Sequence, residues 1–223
     1  MLHRYCSSVS LNPPYPDLEE LLISMGVAGG RIAGMDASEA SAGNISVLIG
    51  WPVEVRRRFP LAEELELPAH VPALAGKVLL VTGSGRRLRD IKVDPEANVG
   101  AVVVNDDGLS AALYSSPRRL FANLTSEFNS HLGVHDDQVG RRDLPFHAVV
   151  HAQPPHLTYL SHIPAYRDEK TFNQCILHWE PESIVALPEG VGVLEFMVPG
   201  SDELMAANIA SLRRRQIVLW GKH

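Results

Sequence analysis

Apolar residues recur at three- and four-residue steps through LEELLISMGVAGGRIAGM, which predicts an amphipathic helix capped by Asp17. Gly29 and Gly30 are expected to weaken its second half. Before it, three prolines among the first sixteen residues predict an irregular arm over 1–16, with the folded domain running over 17–223. The small residues of SAGN then turn the chain into a strand, ISVLIG. Prolines and charges interrupt residues 51–76, which read as an excursion over the surface. KVLLVTGSG is a buried strand ending in a glycine turn, and AVVVNDDG repeats that design with a stronger turn signal. Residues 125–135 suit a helix, with Thr125 or Ser126 as its cap. HAVVHAQPP is a strand stopped by two prolines, which open the next helix, LTYLSHI. SIVALPEGVGVLEF predicts two short strands about Pro-Glu-Gly. Ser201 then caps SDELMAANIASLRRR, and QIVLW is a last strand before Gly-Lys-His. The pattern is that of one α/β domain with mixed strands, with no internal repeat.

Charge narrows what such a domain does. The chain of 223 residues has a formal net charge of -6, with both signs interspersed. That excludes the basic stripe of a nucleic-acid binder. A local anion site stays open, because backbone N–H groups hold phosphate without a basic surface. Cys6 and Cys175 are far apart and in no metal-like spacing, which fits a reducing, cytoplasmic compartment. The N-terminus lacks a signal-peptide pattern, and no apolar run spans a bilayer.

Three segments put polar groups at the ends of apolar strands: Ser41-Ala-Gly43-Asn44, Thr82-Gly83-Ser84-Gly85 and Thr125-Ser126-Glu127. Glycine turns that bare N–H groups, together with a helix start, suit a phosphate. Taken alone, each segment is more often an ordinary turn or cap. Among ten histidines, His151 and Gln153 stand at i and i+2 near a strand end, and His223 follows another strand. These could form a divalent-metal shell or be half-buried hydrogen-bonded side chains. His131, His135, His147, His162 and His178 show no clear spacing.

Taken together, SAGNISV, TSE, the H-x-polar strand end and the late strand-end histidine resemble the class II aldolase/adducin family. Longer strings (VTGSGRRLRDIKVDPEANVGAVVVNDDG, TSEFNSH, HWEPESIVALPEGVGVLEFMVPGSDE and IVLW before His223) are similar to its branch that cleaves rhamnulose 1-phosphate. The resemblance covers about Leu21 to the last residue. It implies a mixed, largely antiparallel central sheet flanked by helices, and a homotetramer with active sites at subunit contacts. It implies retro-aldol cleavage of a ketose 1-phosphate to dihydroxyacetone phosphate and lactaldehyde, with zinc or another divalent metal as Lewis acid. Family zinc sites use three histidines. His151 and His223 match the first and third, and Gln153 occupies the middle position, where a neutral amide is a weaker donor. Glu127 matches the glutamate that moves the proton at the carbanion carbon. Ser41, Gly43, Asn44, Gly83, Ser84, Thr125 and Ser126 match phosphate- and substrate-contacting positions, and Ser41 stands where close relatives carry asparagine. Glu180 matches a second glutamate that reaches the site from a neighbouring subunit. The family pattern continues past the last histidine with further helices, which are missing here. Two other readings fit the resemblance: a related sugar-phosphate epimerase or dehydratase, and a metal-free binding or assembly module.

Overall fold

The computed structural model describes residues 11–38 and 40–223. The proposed arm therefore falls largely outside the described residues, as does Cys6; Cys175 is exposed and unpaired. Residues 11–16 form no helix or strand, and Trp51 anchors them by stacking on Tyr15 at 4.7 Å and donating to the Pro16 carbonyl at 3.0 Å.

In chain order the elements are α1 (Leu18–Gly34), β1 (Asn44–Ile49), β2 (Leu61–Glu66), β3 (Val78–Thr82), α2 (Leu88–Ile91), α3 (Pro95–Asn98), β4 (Val99–Val104) and β5 (Ser110–Ser115). There follow α4 (Phe128–Arg142), β6 (Phe146–His151), α5 (Pro155–His162), α6 (Glu169–Cys175), α7 (Ser183–Ala186), β7 (Gly192–Leu194), α8 (Asp202–Leu212) and β8 (Val218–Trp220). Six strands make one antiparallel sheet in the order β2-β5-β4-β3-β1-β6. β7 and β8 pair in parallel beside it. This is the mixed α/β architecture with a largely antiparallel sheet that the sequence implies.

Strands β1 and β3 are buried along their whole length, so each must satisfy two faces. Ile45, Val47, Ile49, Val78 and Leu80 pack with Leu18, Leu22 and Met25 of α1 in one apolar core. Leu48, Leu79, Val81, Val102 and Val104 pack with Phe128, Leu132 and Val139 of α4 in a second. Asp17 caps α1 with a full capping box: its carboxylate accepts from the Glu20 N–H, and Glu20 accepts from the Asp17 N–H. The glycines do not shorten α1. A methyl group on Gly29 would lie 2.4 Å from the Leu88 carbonyl oxygen, so its absence is what lets α2 approach.

Three expectations need correction. Residues 51–76 are not a mere excursion: they contain β2, an edge strand on β5, and bury Val55, Phe59, Leu67, Val71 and Leu74. Three glutamates keep β2 exposed and solvated, as an edge strand requires. The helix expected from Thr125 begins at Phe128, with Glu127 as its cap residue and no side-chain cap bond. Thr125 is instead tied to β3 by its N–H on the Thr82 carbonyl at 3.1 Å. Finally, Ser183–Ala186 is the helical turn α7 and not a strand. Its start follows Pro181, and the Ser183 hydroxyl donates to the Leu177 carbonyl at 2.5 Å.

Candidate active site

The site forms where β1 begins, β3 ends, α4 starts and β6 finishes. Register explains why. Asn44 lies directly opposite His151 across the β1–β6 pair, so their side chains share one face of the sheet. Gly43 makes the entry possible: it has φ 87°, and a side chain there would meet the His151 carbonyl at 2.8 Å. Thr82 closes β3 with its hydroxyl accepting from the Ile45 N–H at 3.1 Å.

Glu127 is the centre of this group, and it is buried, with 4% of its surface exposed. One carboxylate oxygen accepts from the Asn44 amide at 2.7 Å and from His151 Nδ1 at 2.6 Å. His223 Nε2 lies 3.5 Å from the other oxygen. A carboxylate only accepts, so both the Asn44 nitrogen and His151 Nδ1 carry protons towards it. Burial pushes the Glu127 carboxyl up. Bonds from His151, His223 and Asn44 outweigh that and hold it well below the usual carboxylate range. Glu127 is thus an anion at neutral pH. Candidate ligand atoms of Glu127, His151 and His223 all lie within 4.8 Å of one another, and oxygen plus imidazole donors suit a divalent cation.

His223 reaches this point because the last strand is tied on three sides. The Trp220 indole donates to Asn208 at 2.6 Å, the Gly221 N–H to the Leu194 carbonyl at 2.8 Å, and the Lys222 N–H to the Ser161 hydroxyl at 3.0 Å. The His151 ring sits 4.7 Å from Trp220 and 5.0 Å from His223, centroid to centroid.

The remaining sequence candidates fall into place unevenly. Gln153 follows the end of β6, donates its N–H to the Ala37 carbonyl at 2.8 Å, and borders the same cavity of about 870 Å³ as His151 and His223. Glu180 is exposed and borders that cavity within a single chain. Thr125 is buried, whereas Ser41, Ser84 and Ser126 are exposed. Two N–H groups of the glycine turn are already engaged. Gly83 donates to the Asn98 carbonyl at 2.9 Å and Ser84 to the Asn123 carbonyl at 2.8 Å. Gly83 is small for packing, since a side chain there would lie 2.2 Å from the Phe121 ring.

Sequence reasoning missed Ser46, His131, His135 and His147, which line up behind Asn44. The signal was present: Glu127, His131 and His135 recur every four residues on one helix face. Asn44 and Ser46 alternate on one strand as His147 and His151 do on its partner.

Residues 27–223 match the model of the class II aldolase and adducin N-terminal domain. Rhamnulose-1-phosphate aldolase of Bacteroides thetaiotaomicron is 30% identical over 188 residues, 83% of this chain and 68% of that protein. The Shigella dysenteriae protein of the same name is 30% identical over 167 residues, 75% of this chain and 58% of its own length. The chain thus covers only part of these relatives. A crystal structure of a sugar-phosphate aldolase from Thermotoga maritima superposes with a TM-score of 0.72 at 26% identity, covering 92% of this chain and 82% of that one.

Proposed function

Because the chain belongs to the class II aldolase and adducin family, we propose that it cleaves a ketose 1-phosphate of the rhamnulose 1-phosphate kind to dihydroxyacetone phosphate and lactaldehyde. The observation that carries this reading is the buried, anionic Glu127 between Asn44, His151 and His223. In such a cleavage the C4 hydroxyl loses its proton and the C3–C4 bonding pair moves onto the C2 oxygen. C3 then takes up a proton. Glu127, an anion at rest, takes up a proton and delivers it to C3, and its burial keeps that transfer within the site during turnover. Asn44 holds Glu127 and, with Ser41, Gly43, Ser84, Thr125 and Ser126 along the strand ends, binds the phosphorylated substrate, while Gly83 lets the turn pack on Phe121. His151, Gln153 and His223 hold zinc or another divalent cation, with Glu127 a further donor beside them. A cation bound there supplies Lewis-acid stabilisation of the negative charge that develops on the substrate's oxygens.

The working form in this reading is a homotetramer. Its support is the exposure of large apolar side chains, among them Tyr159, Trp179 and Ile184, which are 72%, 84% and 50% exposed. Glu180, next to the exposed Trp179 in the chain, is the second catalytic glutamate in this reading. Among the described residues no helix is long and apolar enough to cross a membrane, which agrees with a cytoplasmic location.

The test is release of dihydroxyacetone phosphate from rhamnulose 1-phosphate, followed by a coupled assay while zinc is titrated. Product that saturates with zinc supports the reading, and Gln153→His should then shift the curve to lower zinc. No product at saturating zinc overturns it and favours a metal-free binding module.

A further inference from the structure

A line of five polar side chains crosses the layer between α4 and the β1–β6 pair, and it ends on Glu127. His131 Nε2 lies 2.5 Å from Asn44 Oδ1, and His131 Nδ1 lies 2.6 Å from the Ser46 hydroxyl. The same hydroxyl lies 2.7 Å from His135 Nε2, and His135 Nδ1 lies 2.8 Å from His147 Nδ1. Asn44, Ser46, His131 and His135 are all buried, and His147 borders the cavity.

The protons on this line are determined by its end. The carboxylate accepts only, so Asn44 must turn its NH₂ to Glu127 and its oxygen to His131. His131 therefore carries its proton on Nε2. The His131 ring is buried and bonded only to the neutral Asn44 and Ser46 side chains, so it is neutral and its Nδ1 is an acceptor. The Ser46 hydroxyl donates to that nitrogen and is left accepting from His135 Nε2–H. Burial holds His135 well below its ordinary value, so it too is neutral and accepts at Nδ1. His147 then donates from Nδ1; burial, followed by nearby Arg142, lowers its pKa to about 4. Every donor points the same way, from His147 to Glu127.

We propose that Ser46, His131, His135 and His147 are positioning residues that lock the Asn44 amide, and through it Glu127, by this one-way chain of hydrogen bonds. An amide does not pass a proton readily, so the chain orients and polarises and does not conduct. Without it, the Asn44 oxygen loses its donor, and the amide is held at its Glu127 end alone. Chains of this kind strengthen each member's bond and act on the terminal group. The consequence for rate rests on the aldolase reading above; the proton arrangement does not.

The experiment therefore has two readouts. Histidine ¹⁵N spectra of the wild-type protein at pH 7, assigned by single substitutions, should show His131 and His135 neutral with Nε2–H and His147 neutral with Nδ1–H. Nδ1–H at His131, or a charged ring there, overturns the proposal whether or not the protein cleaves sugar. In the cleavage assay His131→Leu should lower kcat by about 10- to 100-fold with KM little changed. His131→Gln, which restores an N–H donor towards Asn44, should recover most of that loss. Equal rates for wild type and His131→Leu overturn the proposal. Should His131→Leu fail to fold, Ser46→Ala interrupts the chain at its middle with a smaller change and is read in the same way. Wild-type protein that shows the three tautomers but no cleavage at all would refute the aldolase reading and leave the chain in place.

Discussion

The two faces of strand β1 are built from alternate residues of one short sequence, yet they meet opposite surroundings. Ile45, Val47 and Ile49 enter a wholly apolar core under α1. Asn44 and Ser46 enter a layer of histidines and a carboxylate under α4, and Leu48 alone returns that face to an apolar core. A period of two lets one strand do both, because neighbouring residues never share a face. Apolar burial on one side supports the polar, internally satisfied array on the other. Such an array is stable only when each buried group has its partner.

This contrast can be broken from either side. The largest effect should come from His151→Ala, which removes a donor to Glu127 and a candidate metal ligand. Cleavage at fixed zinc should fall by about 1000-fold, with the unfolding midpoint little moved. Steady-state kinetics beside a thermal melt would show this, and an undiminished rate would remove His151 from the site. Leu22→Ala should do the reverse. It hollows the α1 core and should cost about 2–5 kcal/mol in urea unfolding, with kcat of the folded enzyme retained. Gly29→Ala presses a methyl group on the Leu88 carbonyl and should cost about 1–3 kcal/mol by the same measurement.

Acid should also act on one face only. His131 and His147 have folded pKa values of about 4, below the ordinary 6.5, so the unfolded chain binds more protons between those values. Their neutral forms are at no disadvantage above pH 6.5, and stability should fall as pH drops from 6.5 towards 4. Urea midpoints across that range should decline, and less steeply in His147→Phe; parallel slopes would show that the histidines are not the cause. The smallest effect is local: Asp17→Ala removes the capping box of α1 and should cost about 1 kcal/mol, without touching the rate.

What could be read from the sequence was local in origin. Asp17 and Ser201 cap their helices as expected, and Asn105–Gly108 closes its turn with the Gly108 N–H on the Asn105 carbonyl at 3.0 Å. Such signals depend on a few neighbouring residues. β2 was illegible because LAEELE has weak strand propensity and is held only by pairing with β5, some fifty residues on. β5 hid for a related reason, since SAALYS shows no alternation of apolar and polar residues to mark its buried face. Glu127, His151 and His223 were singled out by their places at strand ends and a helix start, their roles came from resemblance, and the fold brings them together. The chain from Ser46 to His147 was not, although Glu127, His131 and His135 share a helix face. Only the docking of α4 on β1 and β6 joins that face to Ser46 and His147.

If Glu127 moves the proton at the carbon released by cleavage, that step can be watched without the aldehyde. Dihydroxyacetone phosphate is incubated in deuterium oxide with enzyme and zinc, and loss of its C3 proton signal is followed by NMR. Stereospecific exchange is expected with wild type, with a fall of about 100- to 10,000-fold in Glu127→Gln, which keeps the size of the side chain and removes its charge. Equal exchange by both proteins would contradict that role for Glu127.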